Sequence, residues 1–221
     1  MRFWSALLAA TLFIVLGVGF VTVEMPRWTL AAAEAKWRYE IQPGDILFQD
    51  LDCGPRCELI RAVTKSRYTH TGIVLEERGE RVVWEAYGPV GPTPLAEWLR
   101  RGVEGKIAIY KLRPSLQTKL PLIAAEVRAL RGLPYDANYQ WDDANIYCSE
   151  LIAKAVNRAA ERGVFIPRPV GDLGGNEALV AQWSSGTISA RTLVVSPHDL
   201  VRSGVLARIV DELQPTVAAQ R

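Results

Sequence analysis

The sequence has few of the residues that metal and nucleic-acid sites require. Its 221 residues include two histidines and three cysteines, and its formal net charge is +2. Neither histidine lies near Cys53 and Cys57, so a zinc site at this pair is not expected. Asp142 and Asp143 lack a third acid or a histidine at ligand spacing. The chain also has no long basic block, internal repeat or low-complexity stretch. We therefore expect no metal, no cofactor and no nucleic-acid partner.

Charged residues are also absent from Phe3 to Val23, directly after Arg2. A helix over this run would rise about 1.5 Å per residue and would come close to the roughly 30 Å hydrocarbon core of a membrane. The small-residue pattern at residues 31–35 lies too far beyond the run for a typical signal-peptide cleavage site. An uncleaved anchor is therefore favoured over a removed signal peptide. A buried core helix is disfavoured because the run is apolar on every face. Positive charge before the run predicts a domain outside the cytoplasm, tethered to the membrane or secreted.

The three cysteines divide into a close pair and a single residue. Cys53 and Cys57 flank Gly54-Pro55, where a helix is predicted to begin. An oxidising compartment favours pairing them, which would leave Cys148 as the free thiol. A disulfide over one helical turn is geometrically tight, so free thiols remain the alternative.

The pattern of elements predicts one domain of the α+β class. Residues 70–75 and 81–86 alternate as strands around a charged turn and predict an antiparallel hairpin, and residues 106–112 predict a third strand. Helices are expected at residues 55–66, 94–101 with Thr93 as N-cap, 120–131, 147–162 and after Ser196. Strands concentrate in the first half and the main helix in the second, which favours α+β over alternating βαβ units. The predicted organisation is an anchor at 1–25, a linker at 26–39, the domain at 40–212 and a flexible tail at 213–221.

Cys148 opens the strongest predicted helix. The unpaired N–H groups at a helix start carry partial positive charge, which favours a thiolate and could also receive an oxyanion. A cysteine at this position is a candidate nucleophile. An inert buried cysteine is the alternative.

His70 and Glu85 are the candidate partners of Cys148. A cysteine nucleophile needs an imidazole as base and acid, and the imidazole needs an acceptor that orients its other nitrogen. His70 begins an apolar strand, whereas His198 lies at a predicted helix cap. Glu85 is a carboxylate among apolar residues on the neighbouring strand, although the register cannot be fixed from the sequence. The alternatives are a structural histidine and a strand-end charge that faces water.

Four segments carry a family resemblance: PGDILFQ at 43–49, YTHTGIV at 68–74, EA at 85–86 and YCSEL at 147–151. Together with GPV at 88–90, Leu95 with Trp98, GLPYD at 132–136, WDD at 141–143 and SPHDL at 196–200, they resemble the YiiX/YebB-like permuted papain-like amidases. These amidases are related to NlpC-type peptidases and to lecithin:retinol acyltransferase. The chain departs from the family at Thr69, Thr71 and Tyr139, and none of these departures removes a reacting group.

The resemblance implies a circularly permuted papain-like (NlpC-type) fold, in which an antiparallel sheet packs against the helix that starts at the nucleophile. It implies that Cys148 is the nucleophile, His70 the base and Glu85 the orienting residue. Tyr135 and Tyr147 are candidates for substrate binding, and packing is the alternative role for Tyr135. The expected function is a cysteine amidase or peptidase of the bacterial cell envelope, in the periplasm or outside the cell, acting on a peptide or acyl-containing substrate. The alternatives are a lipid acyltransferase or acyl-lipid esterase and a non-catalytic binding module. The oligomeric state is not predicted.

Overall fold

The structure, a computed structural model, describes residues 30–174, 180–181 and 187–214. Its helices are α1 (Leu30–Trp37), α2 (Pro55–Thr64), α3 (Leu95–Arg100), α4 (Pro114–Gln117), α5 (Leu120–Ala129), α6 (Cys148–Ala160) and α7 (Pro197–Arg202). Its strands are β1 (Asp45–Gln49), β2 (His70–Glu77), β3 (Glu80–Glu85), β4 (Gly91–Pro94), β5 (Ile107–Leu112), β6 (Arg168–Pro169), β7 (Leu193–Val194) and β8 (Leu206–Asp211). Single 3-10 turns occur at Val103–Gly105 and Val170–Leu173.

A six-stranded antiparallel sheet forms the centre of the domain, with the strand order β4-β3-β2-β1-β5-β8. The predicted hairpin of β2 and β3 is confirmed, and Ile73 pairs with Trp84 across it. The edge strands β4 and β8 were not predicted from the sequence. The strand β4 is four residues long and contains two prolines, which hides its strand pattern.

Each face of the sheet has its own apolar core. Ile46, Phe48 and Ile73 face the helices α5 and α6, in a cluster that continues through Leu151 and Ile152 of α6. Leu47, Val74 and Val83 point to the opposite face, where Trp98 and Leu99 of α3 cover them. This alternation follows from the two-residue period of a strand. The fold is therefore mixed α and β with an antiparallel sheet packed against α6, as the sequence predicted.

The helix α3 corrects one detail of the sequence analysis. Thr93 is not its N-cap, because the helix begins after Pro94 and no side chain caps it. Thr93 lies instead in β4, and its hydroxyl donates a hydrogen bond to Glu85 Oε1 at 2.5 Å. The predicted capping residue is therefore a hydrogen-bond donor to the carboxylate of Glu85, the candidate orienting residue.

The predicted linker contains the helix α1, which is bonded to the domain. The Arg81 guanidinium donates to Glu34 Oε1 at 2.5 Å, and the Trp37 indole donates to Glu212 Oε2 at 3.1 Å. The folded part of the chain thus begins before residue 40. In the described residues, no helix has the length and apolar character needed to cross a membrane. The predicted anchor at residues 1–25 and most of the predicted tail lie outside the described residues.

Candidate active site

The first turn of α6 holds Cys148 at the centre of the site. Tyr147 precedes the helix with extended backbone, and its N–H donates to Glu150 Oε2 at 3.2 Å. The segment after β7 fixes the same turn, because the Val195 N–H donates to the Tyr147 hydroxyl at 3.0 Å and the Val195 carbonyl accepts from Ser149 Oγ at 2.7 Å. The Cys148 side chain is buried, and it is the one free cysteine of the described residues. Its position at the helix start is the one that the sequence predicted.

Lys154 neutralises the buried capping carboxylate of Glu150. The Lys154 ammonium lies 2.9 Å from Glu150 Oε1, one helical turn along, and 2.8 Å from Asp143 Oδ1. Burial, the largest cause, raises the pKa of Glu150 to about 7 although Lys154 opposes the shift. Asp143 also contacts Arg158, so this acid pairs locally.

The strands β2 and β3 bring His70 and Glu85 together. Continuing their register by one residue places Gly72 across from Glu85, and His70 is then the diagonal neighbour of Glu85 on the same face. His70 Nε2 lies 2.6 Å from Glu85 Oε2, and both side chains are buried. The other ring nitrogen remains for the Cys148 thiol, whose interaction with His70 raises the pKa of the imidazole. The three residues that the sequence singled out therefore lie in one row.

Glu85 is held by two further donors that sequence analysis missed. Its Oε1 accepts from the hydroxyl of Thr93 and from the guanidinium of Arg101. An unpaired carboxylate would be costly to bury at this depth, by several kcal/mol, so these donors explain its position. Arg101 follows α3 in the chain, and no local pattern in the sequence links it to β3.

The ionisation of the pair follows from these contacts. Burial lowers the pKa of His70, but its hydrogen bonds and charge interactions with Cys148 and Glu85 outweigh burial and raise the pKa from 6.5 to about 9. Burial raises the pKa of Glu85, yet the contacts with His70, Arg101 and Thr93 leave it lowered overall. At neutral pH the pair is therefore an imidazolium and a carboxylate.

Aromatic rings surround the imidazole. Trp98 packs on His70 with a centroid distance of 6.2 Å and an interplanar angle of 31°. Tyr87 meets the His70 ring edge-on at 5.6 Å, and Arg101 lies 4.6 Å from the centre of the Tyr87 ring. Tyr87 is 51% exposed. Tyr87 thus stands between solvent and the His70–Glu85 pair.

Three tyrosines form the wall beside Cys148. The hydroxyls of Tyr135 and Tyr139 lie 3.3 Å apart, and the rings of Tyr139 and Tyr147 pack at 5.2 Å. Burial, followed by the charges of Tyr139 and Cys148, raises the pKa of Tyr135. Tyr147 is buried with its hydroxyl bonded to Val195, while its ring lines a cavity next to the thiol. Both tyrosines therefore lie near the thiol, and their role as substrate-binding residues stays a prediction.

An apolar cavity of about 70 Å³ opens beside Cys148. Its walls come from the 3-10 turn Val170–Leu173, the start of α7, the segments around Val180 and Val194, and the helix α2. The helix α2 contributes Leu59, Ile60 and Val63. In the structure a disulfide joins Cys53 and Cys57 at the start of α2, with the two Cα atoms 5.2 Å apart. The position of α2 beside the thiol could not be predicted from the sequence, because this contact depends on the tertiary fold.

The range of residues that a family model matches shows the family of the chain. The model of the permuted papain-like amidase enzymes, the YaeF/YiiX or C92 family, matches residues 40–210. The chain belongs to this family. The resemblance seen in the sequence is thereby confirmed, and family membership supports a hydrolase of the amidase type.

Two relatives show the extent of the similarity. The uncharacterized protein YiiX of Escherichia coli strain K12 is 30% identical over 132 residues, which cover 59% of this chain and 65% of YiiX. The match therefore spans slightly less than two thirds of that relative. The crystal structure of the metalloprotein YiiX from Escherichia coli O157:H7 superimposes with a TM-score of 0.72 at 28% identity, covering 80% of this chain and 100% of that one.

The description of that relative as a metalloprotein raises the question of a metal in this chain. Within the part of the chain that the structure describes, no group of three or more His, Cys, Asp and Glu side chains is placed to hold a metal ion. The described residues of this chain therefore do not fit a metal site built from three or more such ligands.

Proposed function

We propose that this protein is a cysteine amidase that works through Cys148, His70 and Glu85. The observation that carries the proposal is the set of three buried side chains, with His70 Nε2 at 2.6 Å from Glu85 Oε2 and the free Cys148 thiol close enough to raise the pKa of the same imidazole. A free thiol at a helix start, paired with a histidine that a carboxylate orients, is the arrangement that nucleophilic catalysis by cysteine requires.

The proposed reaction has two steps. The Cys148 thiolate attacks the carbonyl carbon of the substrate amide, and the oxyanion accepts hydrogen bonds from the free N–H groups of the first turn of α6. The His70 imidazolium then gives its proton to the leaving amine as the C–N bond breaks. In the second step His70 takes a proton from water, which attacks the acyl-enzyme and releases the acid. Glu85 keeps the imidazole in the correct orientation throughout.

The apolar cavity supports a substrate whose acyl part is apolar. The cavity adjoins the Cys148 thiol, so an acyl group bound there would present its carbonyl to the sulfur. A short aliphatic chain or an apolar amino-acid side chain would fit this lining better than a polar cell-wall stem peptide. The cavity therefore supports a second candidate function on the same site, hydrolysis or transfer of an acyl-lipid group, and it fits such a substrate better than a polar muropeptide.

We place the site of action in the bacterial cell envelope, outside the cytoplasm. The apolar run from Phe3 to Val23 after Arg2 supports this placement, either as an anchor or as a signal. The Cys53–Cys57 disulfide agrees with an oxidising compartment.

The proposal is tested by labelling with an electrophilic thiol probe at neutral pH. The intact protein should be labelled at Cys148, and Cys148→Ala should abolish labelling without changing the circular dichroism spectrum. Labelling of Cys53 or Cys57 in place of Cys148 would contradict the assignment. Hydrolysis of muropeptides compared with acyl amides and acyl lipids by the same protein distinguishes the two substrate classes.

A further inference from the structure

Arg56, in the first turn of α2, is a cation near the thiol with no charged partner among the described residues. Its guanidinium carbon lies 5.0 Å from the centre of the Tyr135 ring, and the side chain is exposed. None of the residues that the structure describes forms an ion pair with Arg56 or accepts a hydrogen bond from its guanidinium. By contrast, Arg61 and Arg67 both pair with the buried carboxylate of Asp50.

The helical period places Arg56 on the face of α2 that lines the cavity. Leu59, Ile60 and Val63 are three, four and seven residues further along, which is one stripe of a helix. These three side chains form part of the apolar wall beside Cys148. Arg56 therefore extends the same stripe by one turn, toward Tyr135.

The electrostatics agree with this position. Burial is the main reason why the pKa of Tyr139 rises to about 12, while a charge on Cys148 raises it and the charge on Arg56 lowers it. The same two residues act in opposite directions on Tyr135. Arg56 and Cys148 thus both lie within electrostatic reach of the Tyr135–Tyr139 pair.

The disulfide restrains the turn that carries Arg56. The Cys53–Cys57 bond closes a short loop that contains Gly54, Pro55 and Arg56, and Cys57 is buried in the domain. Gly54 takes a φ of +62°, in the region that favours glycine, and Pro55 begins the helix. The backbone of Arg56 is therefore fixed next to Tyr135.

We propose that Arg56 is a specificity-determining residue that binds an anionic group of the substrate at the rim of the apolar cavity, and that the Cys53–Cys57 disulfide holds it in place. A guanidinium binds carboxylate or phosphate through parallel N–H donors, and stacking on Tyr135 leaves the edge of the guanidinium free to do so. The inference rests on the proposed function, in that it takes Cys148 as the reacting group. The substrate class is then a small acyl amphiphile with an apolar acyl part and a negative charge.

The alkylation rates of Cys148 by iodoacetate and by iodoacetamide test this inference without knowledge of the substrate. The reagents transfer similar groups to the sulfur with loss of iodide, but iodoacetate is an anion and iodoacetamide is neutral. The ratio of the two rates therefore measures how strongly the site attracts an anion. Arg56→Gln should lower this ratio about fivefold, as expected when one partly solvated charge is removed from the path of an anion.

Two variants control the experiment. Arg131→Gln removes the same charge from a second exposed arginine, which lies 4.8 Å from the Trp84 ring in a comparable stacked contact. Arg131→Gln should not change the ratio of the two rates. Arg56→Lys keeps the positive charge and should keep the ratio within about twofold of that of the unmodified protein. Replacement of both Cys53 and Cys57 by serine should lower the ratio, and an unchanged ratio would overturn the role of the disulfide.

The outcomes separate this inference from the proposed function. If neither reagent labels Cys148, the proposed function fails. If both reagents label Cys148 and Arg56→Gln leaves the ratio of the iodoacetate and iodoacetamide rates unchanged, the role of Arg56 is overturned. The same conclusion follows if Arg131→Gln or Arg56→Lys lowers this ratio as much as Arg56→Gln does.

Protection of Cys148 from iodoacetamide distinguishes a carboxylate from a phosphate as the bound group. Hexanoylglycine and hexyl phosphate carry one or the other anion on a similar apolar chain, and hexanamide is the neutral control. At least one anion should protect at a lower concentration than hexanamide does, and Arg56→Gln should remove that advantage. Equal protection by all three compounds would contradict the inference, and the better of the two anions identifies the group.

Discussion

At the scale of single residues, Glu85 connects the sheet to the chemistry of the site. Its two carboxylate oxygens have different partners. Oε2 contacts His70, and Oε1 accepts hydrogen bonds from Thr93 and Arg101. The carboxylate is thus kept ionised and fixed in one orientation, and it in turn favours the protonated imidazole. Both effects depend on the negative charge rather than on the shape of the side chain.

The substitution Glu85→Gln should move the alkaline limb of the pH–rate profile to lower pH. The carboxylate is one of the causes that raise the pKa of His70 to about 9, so its neutralisation lowers that pKa and the imidazolium is lost earlier as pH rises. We expect a shift of about one pH unit, together with a loss of about 10- to 100-fold in kcat/KM at the optimum. The measurement is kcat/KM from pH 5 to 10 with a chromogenic acyl amide.

Glu77→Gln is the matched control for that measurement. Glu77 also lies on a strand and pairs with an arginine, Arg128, at 2.8 Å, but its side chain is partly exposed and lies at the far end of β2 from His70. Its substitution should leave the alkaline limb in place. An unshifted limb in Glu85→Gln would show that Glu85 does not set the ionisation of His70.

At the scale of elements, the hairpin of β2 and β3 determines whether His70 reaches Glu85. Gly72 lies between the two residues on the same face of the sheet. A Cβ at Gly72 would lie 2.4 Å from Val83 Cγ1, 2.9 Å from the Trp84 carbonyl oxygen and 3.4 Å from Glu85 Cβ. The strands approach closely at this point because β2 has a glycine there.

The substitution Gly72→Ala should therefore destabilise the protein and disturb the site together. The new methyl group must displace Val83 or the Trp84 backbone, at a cost of about 1–3 kcal/mol in the free energy of unfolding. Urea unfolding and kcat/KM measure the two effects. Gly91→Ala in β4 is the control, because the nearest atom to its Cβ is the Pro89 carbonyl oxygen at 4.0 Å. Equal stability of the two variants would show that the close approach at Gly72 is not required.

At the scale of the whole molecule, the raised pKa of His70 links folding to pH. The folded protein binds a proton on His70 up to a pKa of about 9, whereas the unfolded chain releases it near 6.5. The stabilisation is complete below pH 6.5 and is lost as pH rises through 9. The free energy of unfolding should therefore fall as pH rises through this window.

The substitution His70→Asn should remove most of that slope, as measured by urea unfolding between pH 6.5 and 9.5. His198→Asn is the control, because burial lowers the pKa of His198 and this histidine adds no slope above pH 6.5. If the slope in His70→Asn matches that of the unmodified protein, the proton on His70 does not contribute to folding.

The sequence alone was sufficient for the features that depend on local chemistry. The start of α6 at Cys148 follows from its apolar period, and the hairpin follows from two alternating segments around a charged turn. The order of His70 before Cys148, with the motifs around them, was enough to indicate the permuted family that the match over residues 40–210 confirms.

Only the tertiary structure decided which groups meet. The register of β2 and β3 places His70 diagonal to Glu85, and a shift of one residue would have turned one of them to the other face. Thr93 and Arg101 contact Glu85, and Arg56 contacts Tyr135, although each of these pairs is separated in the chain. A local pattern reports the propensity of one segment, whereas these contacts depend on how separate segments pack around a common core, so no single segment of the sequence contains them.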